Sequence, residues 1–216
     1  AFWDIDGLLF DAKSKGDIHL IEAVNMSKFL SAFWRGDFLK AMEFSNELMS
    51  LPSSKMPKLH LIYHTFYRGI VAFRLFREGN GVSLLKDGED VLSTVKAWSE
   101  TCKWTENKAL LIEAEYLASK CKRNLAKEKY EASIQSARDH GFLHEQGLAY
   151  ECMGKYFSSI IELPEGRRCF REAHRCYMQW GALGKAEQIH REQGLDVTDV
   201  NGNQSVSKHE REEGLV

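Results

Sequence analysis

Slid against itself by 40 residues, the sequence returns to the same side-chain sizes. Leu110 falls on Tyr150, Ala114 on Gly154, and Leu117 on Phe157. Ala126 then falls on Gly166, Tyr130 on Phe170, Ser133 on Ala173, and Gly141 on Gly181. The first half of the unit runs large, small, large; the second runs small, aromatic, small, and closes on glycine. A fixed period of this length marks a stack of supersecondary units. It constrains the fold strongly, because one such unit cannot bury its apolar face alone and must lean on its neighbours. Small residues where two helices cross allow backbones to approach to about 8–10 Å.

The local pattern inside the units is helical. Apolar residues recur at three and four, as in Leu20, Ile21, Val24, Phe29, Leu30 and Phe33, while alternating strand patterns are nearly absent. Helices are expected over about Asp17–Arg35, Phe38–Met49, Leu59–Arg77, Val82–Thr101, Asn107–Cys121, Leu125–His140, Leu143–Ile161, Pro164–Trp180 and Leu183–Gln193. The breaks are Gly36-Asp37, the loop "LPSSKMP", "EGNG", Gly141 and Gly181. Pro164 suits a first helical turn. The helices pair into four hairpins, about 17–50, 58–101, 105–140 and 143–180, followed by a capping helix at 183–193. Earlier units fit the period more loosely: Ala72 stands 42 residues before Ala114. The expected fold is therefore all-α, a right-handed superhelical array of antiparallel hairpins over residues 1–193. Residues 194–216 are polar and aperiodic and are expected to be disordered.

Composition narrows the function. A net charge of −2 among 216 residues argues against a dedicated nucleic-acid or anionic-membrane binder. No apolar run reaches the roughly 18 residues of a membrane span. Five cysteines without a C-x-x-C pair suit reduced, cytoplasmic thiols. The chain lacks both an initiator Met and a signal-peptide pattern, which suggests an excised or processed piece.

Motifs of catalysis and cofactor binding are missing. "GALGK" at Gly181–Lys185 lacks the spacing and the Ser/Thr of a P-loop, so Gly181 is expected to end a helix with positive φ. "GNGVS" at Gly79–Ser83 follows a helix and is expected to be a turn. Cys169, His174 and Cys176 lack metal-ligand spacing, and His174 is expected to point away from the two thiols. Arg167, Arg168, Arg171 and Arg175 lie among Glu162, Glu165 and Glu172, as on a solvated ion-pair face. No catalytic residue, cofactor or metal site is expected.

Tyr150, Met153, Gly154, Phe157, Gly166, Phe170 and Ala173 resemble the tetratricopeptide (TPR) pattern in order, though a period of 40 exceeds the roughly 34 typical of that repeat. The stretch from Leu59 to Gln193 also resembles a helical region of large multidomain signalling proteins. In that family the region follows a predicted AAA/STAND-type ATPase, often with a kinase-like domain before it and GAF, PAS, histidine-kinase or cyclase modules after it. The shared marks are Leu111–Glu115, the junction Ala137–Tyr150, and Tyr177–Lys185. "CKWTENKALL" is shorter than the family's linker, and about the first 50 residues match only as generic helical repeat.

The resemblance implies a non-enzymatic protein–protein interaction scaffold that couples ATPase state to a partner or output domain. The partner would be a protein or peptide, including another domain of the same parent chain. First helices would line a concave groove, with Lys108, Leu111, Glu115, Leu148, Glu151 and Lys155 facing the partner. Trp180 would plug the last joint. Ala182, Ala186 and Ile189 would cover the end of the stack. Two alternatives stay open: a helical-repeat sensor with a small ligand in the groove, and an all-α enzyme with an unrecognised pocket.

Overall fold

The computed structural model describes residues 4–51 and 58–195. These residues form ten α-helices and no strand. The helices are α1 (Ile5–Lys15), α2 (Ile18–Arg35), α3 (Phe38–Ser50), α4 (Lys58–Arg77), α5 (Ser83–Thr101), α6 (Glu106–Ser119), α7 (Arg123–Asp139), α8 (Leu143–Ser159), α9 (Leu163–Trp180) and α10 (Leu183–Gln193). A short 3-10 turn, Lys103–Thr105, precedes α6. The "LPSSKMP" loop after Leu51 and the tail after Leu195 fall outside the described residues. The chain divides into two compact units, Ala1–Lys129 and Tyr130–Val216.

Helix α1 is absent from the sequence expectation. Of its five apolar residues only Leu9 and Ala12 are buried. Its ends are nevertheless well defined. Asp4 accepts a hydrogen bond from the Gly7 amide at 2.9 Å, and Gly16 turns left-handed with φ 65°. Leu9 and Ala12 pack on Ile21 and Val24 of α2. The dipeptide Gly-Asp does two jobs here. Gly16 and Gly36 end one helix, and the next residue, Asp17 or Asp37, caps the following helix by accepting from Leu20 or Lys40.

Seven helix-to-helix joints among the described residues share one hydrogen-bond pattern. The amide after a left-handed residue donates to the carbonyl five residues back, at 2.8 to 3.0 Å. This is the Schellman closure, which satisfies carbonyls that the helix leaves orphaned. The left-handed residues are Gly16, Gly36, Gly79, Cys121, Gly141, Ile161 and Gly181. Gly181 has φ 87°, as expected from the sequence, and it is the cap of α9 rather than part of a phosphate loop. Gly79, at φ 84°, likewise closes α4.

In the first unit each helix packs on the next, and α4 also packs on α2 and α6. The core there is aromatic: Phe29, Phe66 and Phe73 are fully buried, and Phe33 meets Tyr67 at 4.5 Å between centroids. Gly69 of α4 is needed for the close approach. A Cβ there would sit 2.6 Å from Val91 of α5 and 2.8 Å from Ile112 of α6. Ala114 and Ala126 are fully buried.

In the second unit α8 packs against α9, and α10 against α9. Gly154 faces Phe170, and a Cβ on it would lie 2.9 Å from that ring. Gly166, Ala173 and Tyr130 are buried. Ala186 and Ile189 bury the inner face of α10. Trp180 corrects the expected plug: it is 47% exposed and stacks on His144 at 5.0 Å. As the last residue of α9, it is carried outward by the turn at Gly181.

Ile161 is a β-branched residue at φ 65° with its side chain in solvent, 82% exposed. That conformation costs a non-glycine residue roughly 1–2 kcal/mol. Ile161→Gly should therefore raise the urea midpoint, a gain of about 1 kcal/mol after the glycine's extra unfolded-state entropy is subtracted. Gly181→Val should lower it by about 1–2 kcal/mol, since open space surrounds the site and only φ is at stake. An unchanged midpoint for both would refute the strain argument.

Candidate functional site

The expected groove positions turn inward. Lys108, Leu111, Glu115, Leu148 and Glu151 are each no more than 3% exposed, and the Lys155 side chain is 19% exposed. The presumed open face of the first helices is packed instead, because α6 lies against α4 and α8 is reached from α10. Polar residues on that face serve the interior.

In the first unit, Lys108 lies among rings. Its ammonium sits 4.8 Å from the Trp104 centroid, 5.5 Å from Tyr63 and 5.9 Å from Phe66. It also donates to the Trp104 carbonyl at 3.3 Å. Such cation–π placement stabilises a desolvated cation by about 2 kcal/mol. Glu115, seven residues on, accepts from Arg77 Nη2 of α4 at 2.5 Å. Arg77 Nη1 donates to the Glu115 carbonyl and to Ser119 Oγ, at 3.1 and 3.2 Å.

In the second unit the node is Glu151. Its Oε1 accepts from Lys155 at 2.7 Å and from Lys185 of α10 at 3.0 Å. Its Oε2 accepts from the Tyr177 hydroxyl of α9 at 2.9 Å. One carboxylate thus joins three helices. Burial pushes its pKa up, but the two lysines outweigh burial and hold it at about 2.

A second buried polar cluster has no counterpart in the sequence expectation. His64 Nε2 lies 2.9 Å from Ser45 Oγ. Arg68 donates to Ser45 Oγ at 2.7 Å, to Asn46 Oδ1 at 2.8 Å and to Asp87 at 3.2 Å. Because Arg68 donates to the hydroxyl, the Ser45 proton goes to the imidazole. Burial, then the Arg68 charge, lower the His64 pKa to about 4, so the ring is neutral at pH 7. A Ser–His contact at this distance has the spacing of a nucleophile and its base. Both residues are enclosed, however, at 0% and 1% exposure, so no substrate reaches the hydroxyl. The cluster ties α3, α4 and α5 together. The spacing of His64 and Arg68, one turn apart on α4, is the signal that marks them in the sequence.

The cysteine–histidine group of α9 is structural. Cys169, His174 and Cys176 are all buried. His174 meets His190 of α10 at 6.1 Å between centroids, so it faces the capping helix. Burial pushes both thiols up to about 11, which keeps them protonated and poorly nucleophilic. Among the described residues no three His, Cys, Asp or Glu side chains are grouped to hold a metal ion. No described helix is long and apolar enough to cross a membrane. Comparison with family models, with curated proteins and with solved structures finds no match to this chain.

Glu151 is ionised in the fold down to about pH 2, while an unfolded carboxyl takes up its proton near 4.5. Its contribution to stability is therefore present above pH 4.5 and is lost as pH falls from 4.5 to 2; the shift corresponds to about 3 kcal/mol. Glu151→Gln should cost about 3 kcal/mol at pH 7 by leaving two buried ammonium groups uncompensated. Its stability should also vary less with pH between 4.5 and 2 than the wild type's, measured by urea titration at each pH. Parallel wild-type and variant curves would show that Glu151 is not the group titrating.

Proposed function

We propose that this chain is a non-enzymatic protein–protein interaction scaffold, a right-handed TPR-like array from a signal-transduction ATPase or kinase. It would work in the cytoplasm and couple ATPase state to a partner protein or to an output domain of its parent. The observation that supports this most is the recurrent joint. Cys121, Gly141, Ile161 and Gly181 stand 20 residues apart, and each closes a helix in the same way. Regular helix–turn units that pack on successive neighbours are the building pattern of binding solenoids.

The interior chemistry fits the same role. The Ser45–His64 contact is sealed, and Glu115 and Glu151 of the inner faces hold helices together. Recognition then falls to outward positions rather than to Glu115 and Glu151. Charge reversal at those two residues would unfold the chain before it tested binding.

The decisive test is direct binding. A candidate partner found by proximity labelling should bind the purified chain in calorimetry with a single stoichiometry, and amide-exchange protection should map to exposed helix faces. Ser45→Ala should leave that binding unchanged. Turnover of a substrate by the purified chain, lost in Ser45→Ala, would replace the scaffold reading with an enzymatic one.

A further inference from the structure

Helix α10 closes on α9 through an interface that carries two imidazoles. His174 of α9 is 8% exposed, and His190 of α10 faces it at 6.1 Å between ring centroids. Ala186 and Ile189, on the inner side of α10, are buried. His174 Nδ1 is buried without a hydrogen-bond partner, and neither ring is in an ion pair among the described residues. A ring buried in this way is at home only when neutral, because a charge there loses its water and gains no partner.

The charges around His174 are these. On α9 itself Arg171 stands about one turn earlier, and Arg175, next in sequence, is paired with Glu172 at 2.5 Å. From α8 come Glu151 and Lys155, which are bound to each other. From α10 come His190 and Lys185; Lys185 is bound to Glu151, while Glu187 and Arg191 are exposed. Arg138 of α7 acts on Cys176, roughly 200° round the helix from His174. Burial, then His190 and Arg175, hold the His174 pKa below its ordinary 6.5. While α10 is docked, His174 therefore takes a proton less readily than when water reaches it. Docking is at full strength above pH 6.5 and weakens as pH falls below it. The tether at the start of α10 does not weaken there, since Glu151 keeps its charge down to about pH 2.

We propose that the His174–His190 pair is a proton-operated latch: in mild acid the charged rings repel and free the C-terminal end of α10 from α9, while Lys185 keeps the N-terminal end on Glu151. A helix of eleven residues is marginal without a partner surface, so lifting and unwinding go together. Release uncovers Ile189 and the face of α9 around His174. The latch does not depend on the scaffold reading, since neither histidine is among the expected groove residues.

Amide exchange on the whole chain, corrected for the intrinsic pH dependence of exchange, tests the latch. Between about pH 7.5 and 5.5 the amides of Ile189 to Gln193 should lose about tenfold in protection, while the α8 amides keep theirs. That is the loss one ring supplies one unit below an open-state pKa of 6.5. His190→Gln should reduce the loss, and His174→Gln should remove most of it. An NMR titration decides the matter if His174→Gln does not fold: the wild-type His174 ring should titrate below 6.5, and His190→Gln should move it up toward that value. Unchanged α10 protection in mild acid overturns the latch. So do equal losses in α8 and α10, the same loss in His174→Gln, and a His174 ring whose titration His190→Gln leaves unmoved.

Discussion

The fold depends on how its helices stop. An α-helix leaves its last carbonyls without partners, and a stack of short helices multiplies that cost at every joint. Here one device recurs: a left-handed residue, then an amide that reaches five residues back. The device fixes the direction in which the chain leaves each helix. Along the C-terminal half it recurs every 20 residues, so a helix and its turn make one step, and two steps make the 40-residue echo. Glycine holds this position at most joints because it occupies positive φ without strain. Cys121 and Ile161 hold it in spite of strain, which shows that the joint rather than the residue is what the fold requires.

Ionic side chains supply a second layer of specificity. Apolar packing between helices is tolerant of sliding, because many registers bury similar area. A buried carboxylate with a fixed set of donors is not tolerant. Glu115 accepts only where Arg77 of α4 arrives, and Glu151 only where Tyr177 and Lys185 arrive. Such a set gains little over apolar side chains of the same size, but a misplaced neighbour leaves a charge uncompensated. The Ser45–His64–Arg68 cluster plays the same part with a neutral ring and a hydroxyl.

Much of the architecture was legible in the sequence, and the reasons are local. Helical periodicity and glycine punctuation place nine of the helices to within about two residues, the usual uncertainty of helix ends. The size pattern also finds the close contact of Gly154 with Phe170. Helix α1 escaped because it buries so little that its periodicity is faint, although its capping residues are plain. The groove residues failed for a different reason. Periodicity says that Lys108 and Glu115 share one face of α6, and Leu148 and Glu151 one face of α8, but not whether either face meets solvent or another helix. Charge argued for solvent, and the next helix but one overrode it. Trp180 was misplaced because its size argued for burial, while its place at the very end of α9 sets it in the open. The cleft lined by Ile134, Met153 and Cys169 was not legible either, since its walls come from three helices whose relative rotation no single-helix pattern records.

Helix α10 looks like a lid over the last hairpin, eleven residues long and held by Ala186 and Ile189. Its Lys185 makes it more than a cover, because that ammonium reaches into the interior as one counter-charge of Glu151. A chain cut at Trp180 would lose an apolar seal and, in the same stroke, a cation from the middle of the preceding helix pair. The packed core of this unit therefore extends through α10, one helix beyond the α8–α9 pair.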